Sequence, residues 1–133
     1  MHGVVYIVWD GVVTWDDWSK QLSKLMTDPN WRKASLFIAD TRSVTDTSSI
    51  ELEHVTRAMA LLGTDREAVK HKRGAIIASN TFGKAKHFAY QVAMYGVRVV
   101  VFNNIDTACL FLGLDVVETS RVLEGLRRRL RGE

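Results

Sequence analysis

The chain has 133 residues, of which 47% are hydrophobic and 25% are charged, as in a single soluble globular domain with an apolar core. Residues 121–133 carry the whole formal net charge of +3, because they include five arginines and two glutamates. The rest of the chain is neutral overall, which argues against a broad basic face that binds nucleic acid. A single cysteine excludes an internal disulfide, and no secretory signal or transmembrane segment is visible, so we expect a cytoplasmic protein.

The first elements predicted are a buried strand and an amphipathic helix. A β-branched and aromatic run closed by Asp-Gly, residues 3–11, predicts the strand. Thr14 and Asp17 have the spacing of a capping box, and apolar residues then recur every three or four positions. The helix should end before Pro29, because the residue that precedes a proline avoids the helical region. Residues 35–40 predict a second buried strand.

Helices and strands alternate through the rest of the chain. Ser48 and Glu51 again have capping-box spacing, which predicts a helix start at this point. The further predictions are a helix closed by Gly63, a strand at 74–79, a helix at 82–95, a strand at 97–102, a short helix from Asn104 to Gly113 and a last helix from Asp115. This alternation predicts an α/β fold, with four or five mostly parallel strands covered by four or five helices. We expect one domain at 1–114 and a basic helical tail at 115–133.

Four segments carry a resemblance to a known family. They are WDGVVTWDDW at 9–18, LFIADTRSVTD at 36–46, GAIIASNTFGKAKHFAY at 74–90 and VRVVVFNNIDTACLFLG at 97–113. In this order they resemble the STAS superfamily of anti-sigma-factor-antagonist-like domains, and within it the uncharacterised SpoIIAA-like branch. The resemblance covers roughly residues 4–113. It implies a small α/β regulatory domain that acts through protein partners.

The resemblance draws attention to Ser48 and Ser49, beside Asp46. In the family, Asp-Ser-Ser-Gly opens the helix after the second strand, and a partner kinase phosphorylates one of its serines. The matching stretch here has Ile50 in place of the glycine. The resemblance therefore implies a phosphorylation or partner-contact site, and a phosphate would be tolerated at a helix N-terminus. From the residues alone, Ser48 as a helix N-cap is the favoured alternative.

Polar residues follow each apolar strand, and they form the candidate ligand edge. These residues are Asp10, Asp40, Arg42, Ser79, Asn80, Thr81, Asn103 and Asn104. The carboxyl ends of parallel strands meet at one edge of a sheet, where ligands usually bind. Arg42 could hold a carboxylate or phosphate through two hydrogen bonds. The alternative is that Asp40 and Arg42 pair with each other and that the other residues serve turns and caps.

Other motifs have simpler interpretations. Gly83 and Lys84 lack the spacing of a phosphate-binding loop, so we expect a solvated helix face. His54 should face solvent on its helix. Trp9 and Trp31 should fill the core, or line a pocket or an interface. The arginine-rich tail could bind an anionic membrane or an acidic protein, or pack its apolar side on the domain with its arginines in solvent.

The sequence contains no enzyme signature that we can identify. The four histidines lack metal-ligand spacing, and no nucleophile–base pair is evident, so we predict no catalytic residue, no metal and no cofactor. We expect a non-enzymatic regulatory module that binds a protein partner. The alternative is a domain that binds a small anionic or lipid-like ligand at the strand edge, and an enzyme that uses Asp40 and Arg42 is a third hypothesis. A homodimer is compatible with the strand edges and the apolar helix.

Overall fold

The computed structural model describes residues 3–133 and contains one four-stranded sheet. Its strands are β1 (Val4–Val12), β2 (Leu36–Asp46), β3 (Arg73–Ile77) and β4 (Arg98–Phe102). They lie in the order β1-β2-β3-β4, and each neighbouring pair is parallel. The predicted α/β class with a small parallel sheet is therefore confirmed. His2, one of the histidines considered above, lies outside the described residues.

The connections between successive strands cover one face of the sheet. They contain α1 (Trp15–Met26), α2 (Pro29–Lys33), α3 (Leu52–Gly63), α4 (Arg66–Val69), α5 (Phe82–Val92) and a 3₁₀ turn (Ala93–Tyr95). Because parallel crossovers are right-handed and every step runs in the same direction, these helices share one face. Leu22 of α1, Met59 of α3 and Val92 of α5 pack with Phe37 of β2 in one core cluster. We call this side of the sheet the crossover face.

Two helices cover the opposite side, which we call the rear face: α6 (Ile105–Leu112) and α7 (Val116–Leu130). Asn104 caps α6 by accepting the Thr107 N–H at 2.9 Å, and Gly113 ends it with a φ of +71°, as predicted. Leu123 of α7 is 1% exposed and packs in a cluster with Ile38 of β2. No helix within residues 3–133 is long and apolar enough to cross a membrane.

The helix after β2 does not begin where the sequence predicts. The strand continues to Asp46, a tight turn follows, and Ile50 is buried at 6% exposure, so the helix can start only afterwards. Glu51 is the N-cap, and its backbone N–H donates to Nδ1 of His54 at 2.9 Å. The predicted Ser48–Glu51 capping box is therefore wrong. His54 is half-buried rather than solvent-facing, because its ring stacks on Trp15 at 5.1 Å.

The segment around Pro29 both ends one helix and begins another. The predicted capping box of α1 is present, with the Asp17 N–H donating to Thr14 Oγ1 at 3.2 Å. After α1 ends, Asp28 Oδ1 accepts the Asn30 N–H at 2.9 Å and Pro29 occupies the first turn of α2. Proline suits this position because its missing N–H would have no partner there. The sequence predicted the end of α1 before Pro29 but not the start of α2.

Candidate functional site

An apolar cavity of about 170 Å³ lies between the sheet and the helices of the crossover face. At the amino ends of the strands it is bordered by Trp31, Phe37 and Val97, and at the carboxyl ends by Thr41 and Thr81. Helices α1, α3 and α5 close it from above. Trp9 and Trp31, which the sequence suggested as core or pocket residues, both line it.

Side-chain alternation along β2 builds the floor of the cavity. Phe37, Ala39 and Thr41 are two residues apart, so they point to the same face. Ala39, and Ala85 above it on α5, are small residues in a lining of mostly larger ones. Gly74 of β3 lets the ring of Phe37 lie across it, because a Cβ there would stand 2.2 Å from the Phe37 ring. The space therefore exists because a few residues that face it are small.

Trp31 forms the wall at the amino end of the cavity. It is 4% exposed, and its indole Nε1 has no hydrogen-bond partner among residues 3–133. The ammonium of Lys72 lies 4.5 Å from the centre of the Trp31 ring and donates to the carbonyls of Trp31 and Ala34. Burial, with the charge of Arg32, lowers the pKa of Lys72. Lys72 itself does not line the cavity.

The polar groups of the cavity gather at its other end. Thr41 Oγ1 donates to the Ile77 carbonyl at 2.9 Å and lies 2.7 Å from Thr81 Oγ1. Lys84, in the first turn of α5, donates from Nζ to the carbonyl of Thr47 and lies 3.1 Å from Thr47 Oγ1. The predicted solvated position for Lys84 is wrong, because its side chain is half-buried against this turn and borders the cavity.

A separate ionic cluster occupies the rear face. Asp40 is fully buried and accepts from Arg42 Nε at 3.0 Å, from Arg42 Nη2 at 2.8 Å and from Arg127 Nη2 at 2.6 Å. Arg127 also donates from Nε to Ser43 Oγ at 2.9 Å. Burial alone would raise the pKa of Asp40, but the hydrogen bonds of Arg42 and the charges of Arg42 and Arg127 outweigh it and lower that pKa.

The basic tail contributes directly to this cluster. Arg127 has an 11% exposed side chain, so it is not in solvent as the packed-tail alternative expected. Arg131 holds Asp10 through two hydrogen bonds of 2.9 Å, from Nε and Nη2. Hydrogen bonding to Arg131 lowers the pKa of Asp10. The last turn of α7 and the residue after it therefore connect β1 and β2 from the rear face.

The predicted ligand edge does not form one site. Asp10, Asp40 and Arg42 are paired on the rear face, whereas Thr81 borders the cavity on the crossover face. The remaining members are exposed: Ser79, Asn80, Asn103 and Asn104. Asn80 donates to the Val44 carbonyl at 3.5 Å, and Asn103 accepts from its neighbour Asn104 at 2.9 Å. Because the adjacent residues Asp40 and Thr41 point to opposite faces of the sheet, the predicted members of the edge lie on two different faces.

The candidate phosphorylation residues lie in the turn between β2 and α3. Ser48 and Ser49 are exposed, and the Ser48 N–H donates to Asp46 Oδ1 at 2.8 Å. That hydrogen bond lowers the pKa of Asp46. Thr47 and Ile50, on either side of the serines, line the cavity. The turn is therefore both accessible to an enzyme and adjacent to the polar end of the cavity.

Sequence reasoning missed Thr41, Thr47 and Lys84 as members of a common site. The alternation of Thr41 with Asp40 along an apolar strand was a usable signal, because it assigns the two side chains to opposite faces. No local pattern pairs Lys84 with Thr47, since they are 37 residues apart and meet only through the fold. Within residues 3–133, no group of three or more His, Cys, Asp and Glu side chains could hold a metal ion.

We compared the chain with known protein families, curated proteins and solved structures. No protein-family model, curated protein or solved structure matches the chain. The resemblance to the STAS superfamily therefore stays a prediction from the four quoted segments.

Proposed function

We propose that this chain is a small-molecule binding domain without catalytic activity, whose ligand lies in the cavity of the crossover face. The observation that carries this proposal is an apolar space of about 170 Å³ inside a small domain. Protein interiors are normally packed to crystal density, with few voids larger than a water molecule. An engineered apolar cavity of about 150 Å³ in another protein stays dry and binds benzene. A space of this size and lining suits an apolar ligand.

The cost of an empty cavity supports the same proposal. At about 24 cal/mol per Å³, the value for enclosed cavities, a space of 170 Å³ sets an upper bound of about 4 kcal/mol on the cost of leaving it unfilled. That is a large part of the roughly 5–15 kcal/mol by which small domains are stable. A ligand that fills the space recovers much of this free energy, and the gain appears as binding.

Uncharged probes test this function without any assumption about a polar head. Decanol and butylbenzene should each raise the melting temperature in a saturable manner, because a ligand that binds only the folded state stabilises it. Native mass spectrometry of protein purified from its own cells should show a small-molecule adduct that denaturation releases. A melting temperature unmoved by either probe, together with a bare native mass, would eliminate the proposal.

A second candidate function is a regulatory module that binds a protein partner through the turn at 46–51. The observation that favours it is the exposure of Ser48 and Ser49, followed by Leu52, whose side chain is 56% exposed. The resemblance to the STAS superfamily supports a partner contact there. A phosphate on either serine would add nearly two negative charges to this surface.

The partner hypothesis has its own test. Phosphopeptide mapping of the native protein should find phosphate on Ser48 or Ser49. A partner cross-linked to the native protein should bind the Ser48→Asp variant at least tenfold more weakly than wild type, whereas the Ser48→Ala variant should bind it normally. Absence of phosphate together with equal binding of both variants would count against this candidate. The two functions are compatible, because Thr47 and Ile50 of the same turn line the cavity.

A further inference from the structure

The hydroxyl and charged groups of the cavity lie at one end only. Among its lining residues, Thr41, Thr47, Thr81 and Lys84 are the ones with a hydroxyl or a charge. Thr41 contacts the last residue of β3, Thr47 follows β2, and Thr81 and Lys84 follow β3. The lining also includes Phe37 and Ala39 of β2, which lie on the amino-terminal side of Thr41. An apolar space with its hydroxyl and charged groups at one end fits a molecule that carries an apolar chain and one polar head.

Lys84 gives this polar end a positive charge. Its ammonium contacts the carbonyl and the hydroxyl of Thr47, which leaves one of its three N–H donors for another acceptor. No carboxylate forms a salt bridge with Lys84 among residues 3–133. The nearby carboxylate of Asp46 accepts the Ser48 N–H at 2.8 Å, and the charge of Lys84 helps to lower its pKa without a direct contact. A half-buried ammonium with a free donor and no salt-bridge contact favours an anionic ligand group.

The start of α5 adds to this potential. Thr81 precedes the helix, yet its hydroxyl pairs with Thr41 and makes no capping hydrogen bond to the first turn. The positive end of an eleven-residue helix is therefore uncapped by a side chain beside Lys84. The dipole alone would not define a site, but it has the same sign as the lysine and lies at the same end of the cavity.

We propose that the ligand is an alkyl carboxylate, with its chain in the cavity and its carboxylate on Lys84 at the start of α5. This inference rests on the proposed small-molecule binding function. Lys84 is the one charged residue that lines the cavity within the described part of the chain, so it balances a single negative charge. A phosphate head would bring nearly two charges at neutral pH. The assignment of a monoanion follows from this charge balance.

The test compares ligands of equal chain length by isothermal titration calorimetry below their micellar concentrations. The probes are decanoate, decanol, decylammonium and decyl phosphate. Wild-type protein should bind decanoate about tenfold or more tighter than decanol, because hydrogen bonds to charged groups are the stronger ones. Decylammonium should bind most weakly. From octanoate to decanoate to dodecanoate, the dissociation constant should fall by about fourfold for each added methylene until the cavity is full.

Variants of two lysines on α5 test whether the charge of Lys84 causes the preference for decanoate over decanol. Lys84→Gln should bind decanoate and decanol equally, and Lys84→Arg should keep the preference for decanoate. Lys86→Gln is the matched control, because it removes the same charge from an exposed residue of α5 that does not line the cavity. It should bind both probes as wild type does.

The outcomes separate the head group from the function. Equal binding of decanoate and decanol by wild type, or an unchanged preference in Lys84→Gln, would overturn the assignment of the carboxylate while leaving the binding function in place. Tighter binding of decyl phosphate than of decanoate would overturn the monoanion. If the decyl probes fail to bind but butylbenzene binds, only the alkyl carboxylate fails. If butylbenzene fails as well and the native mass is bare, the proposed function fails too.

Discussion

Filling the cavity with a protein side chain should stabilise the empty domain and exclude its ligand. Ala85 is buried at 9% exposure and lines the cavity from α5. The Ala85→Leu substitution adds three carbon atoms at this position, and leucine is a good helix former. If the space of about 170 Å³ is truly unfilled, the larger side chain can enter it without displacing its neighbours.

The size of the effect follows from the burial of three carbon atoms. Each contributes about 0.8 kcal/mol when it leaves water. Fixing the leucine side chain costs about 0.5–1 kcal/mol in rotamer entropy. The expected increase in the free energy of unfolding is therefore about 1.5 kcal/mol, which corresponds to a rise in melting temperature of about 5 °C for a domain of this size.

Urea unfolding followed by tryptophan fluorescence, with decanol titrated by calorimetry, measures both consequences. Ala60→Leu is the control, because Ala60 is exposed on α3 and the same change there should move stability by less than about 0.5 kcal/mol. Overpacking would instead lower stability by about 1–3 kcal/mol. A destabilised Ala85→Leu variant, or one that binds decanol as tightly as wild type, would refute the cavity argument.

Three further predictions concern the sheet and its rear face. Gly74→Ala should lower the free energy of unfolding in urea by about 1–3 kcal/mol, because the new methyl would force the buried ring of Phe37 to move. Arg127→Met should cost about 3 kcal/mol by removing a partner of the buried Asp40, whereas Arg128→Met, at an exposed site, should cost less than about 0.5 kcal/mol. The lowered pKa of Asp40 stabilises the fold above the ordinary aspartate pKa of about 4, and this contribution should be lost as the pH falls through the lowered pKa. Urea midpoints measured down to about pH 2.5 should therefore depend less on pH in Asp40→Asn than in wild type.

Local signals predicted most of the secondary structure. The Thr14–Asp17 capping box and the Asn104–Gly113 helix were predicted because the residues that set their ends are neighbours in sequence. Three nearly continuous apolar strands predicted a largely parallel sheet covered by helices, and the four parallel strands confirm the parallel sheet. These features need no knowledge of distant contacts, and the same holds for the start of α7 at Asp115.

The failed predictions involve contacts that span the fold. Ser48 had the spacing of a cap, but burial of Ile50 competes with that local preference and moves the helix start to Glu51. Lys84 looked like a solvent-facing residue because its contact with Thr47 depends on how α5 packs. The cavity could not be predicted from the sequence either. It forms because many lining side chains, each an ordinary core residue, together do not fill the space between the sheet and the helices.

The alternation of side chains along β2 decides which face of the sheet can accept a ligand. Asp40 and Thr41 are adjacent, yet Asp40 joins the rear face and Thr41 borders the cavity. On the rear face Arg42 and Arg127 are already paired with Asp40, and Arg127 also pairs with Glu124, so an anion there would have to displace a carboxylate. On the crossover face Lys84 stands beside apolar space, with no salt-bridge partner among residues 3–133. Electrostatics and volume therefore select the same face, and they select it independently of each other.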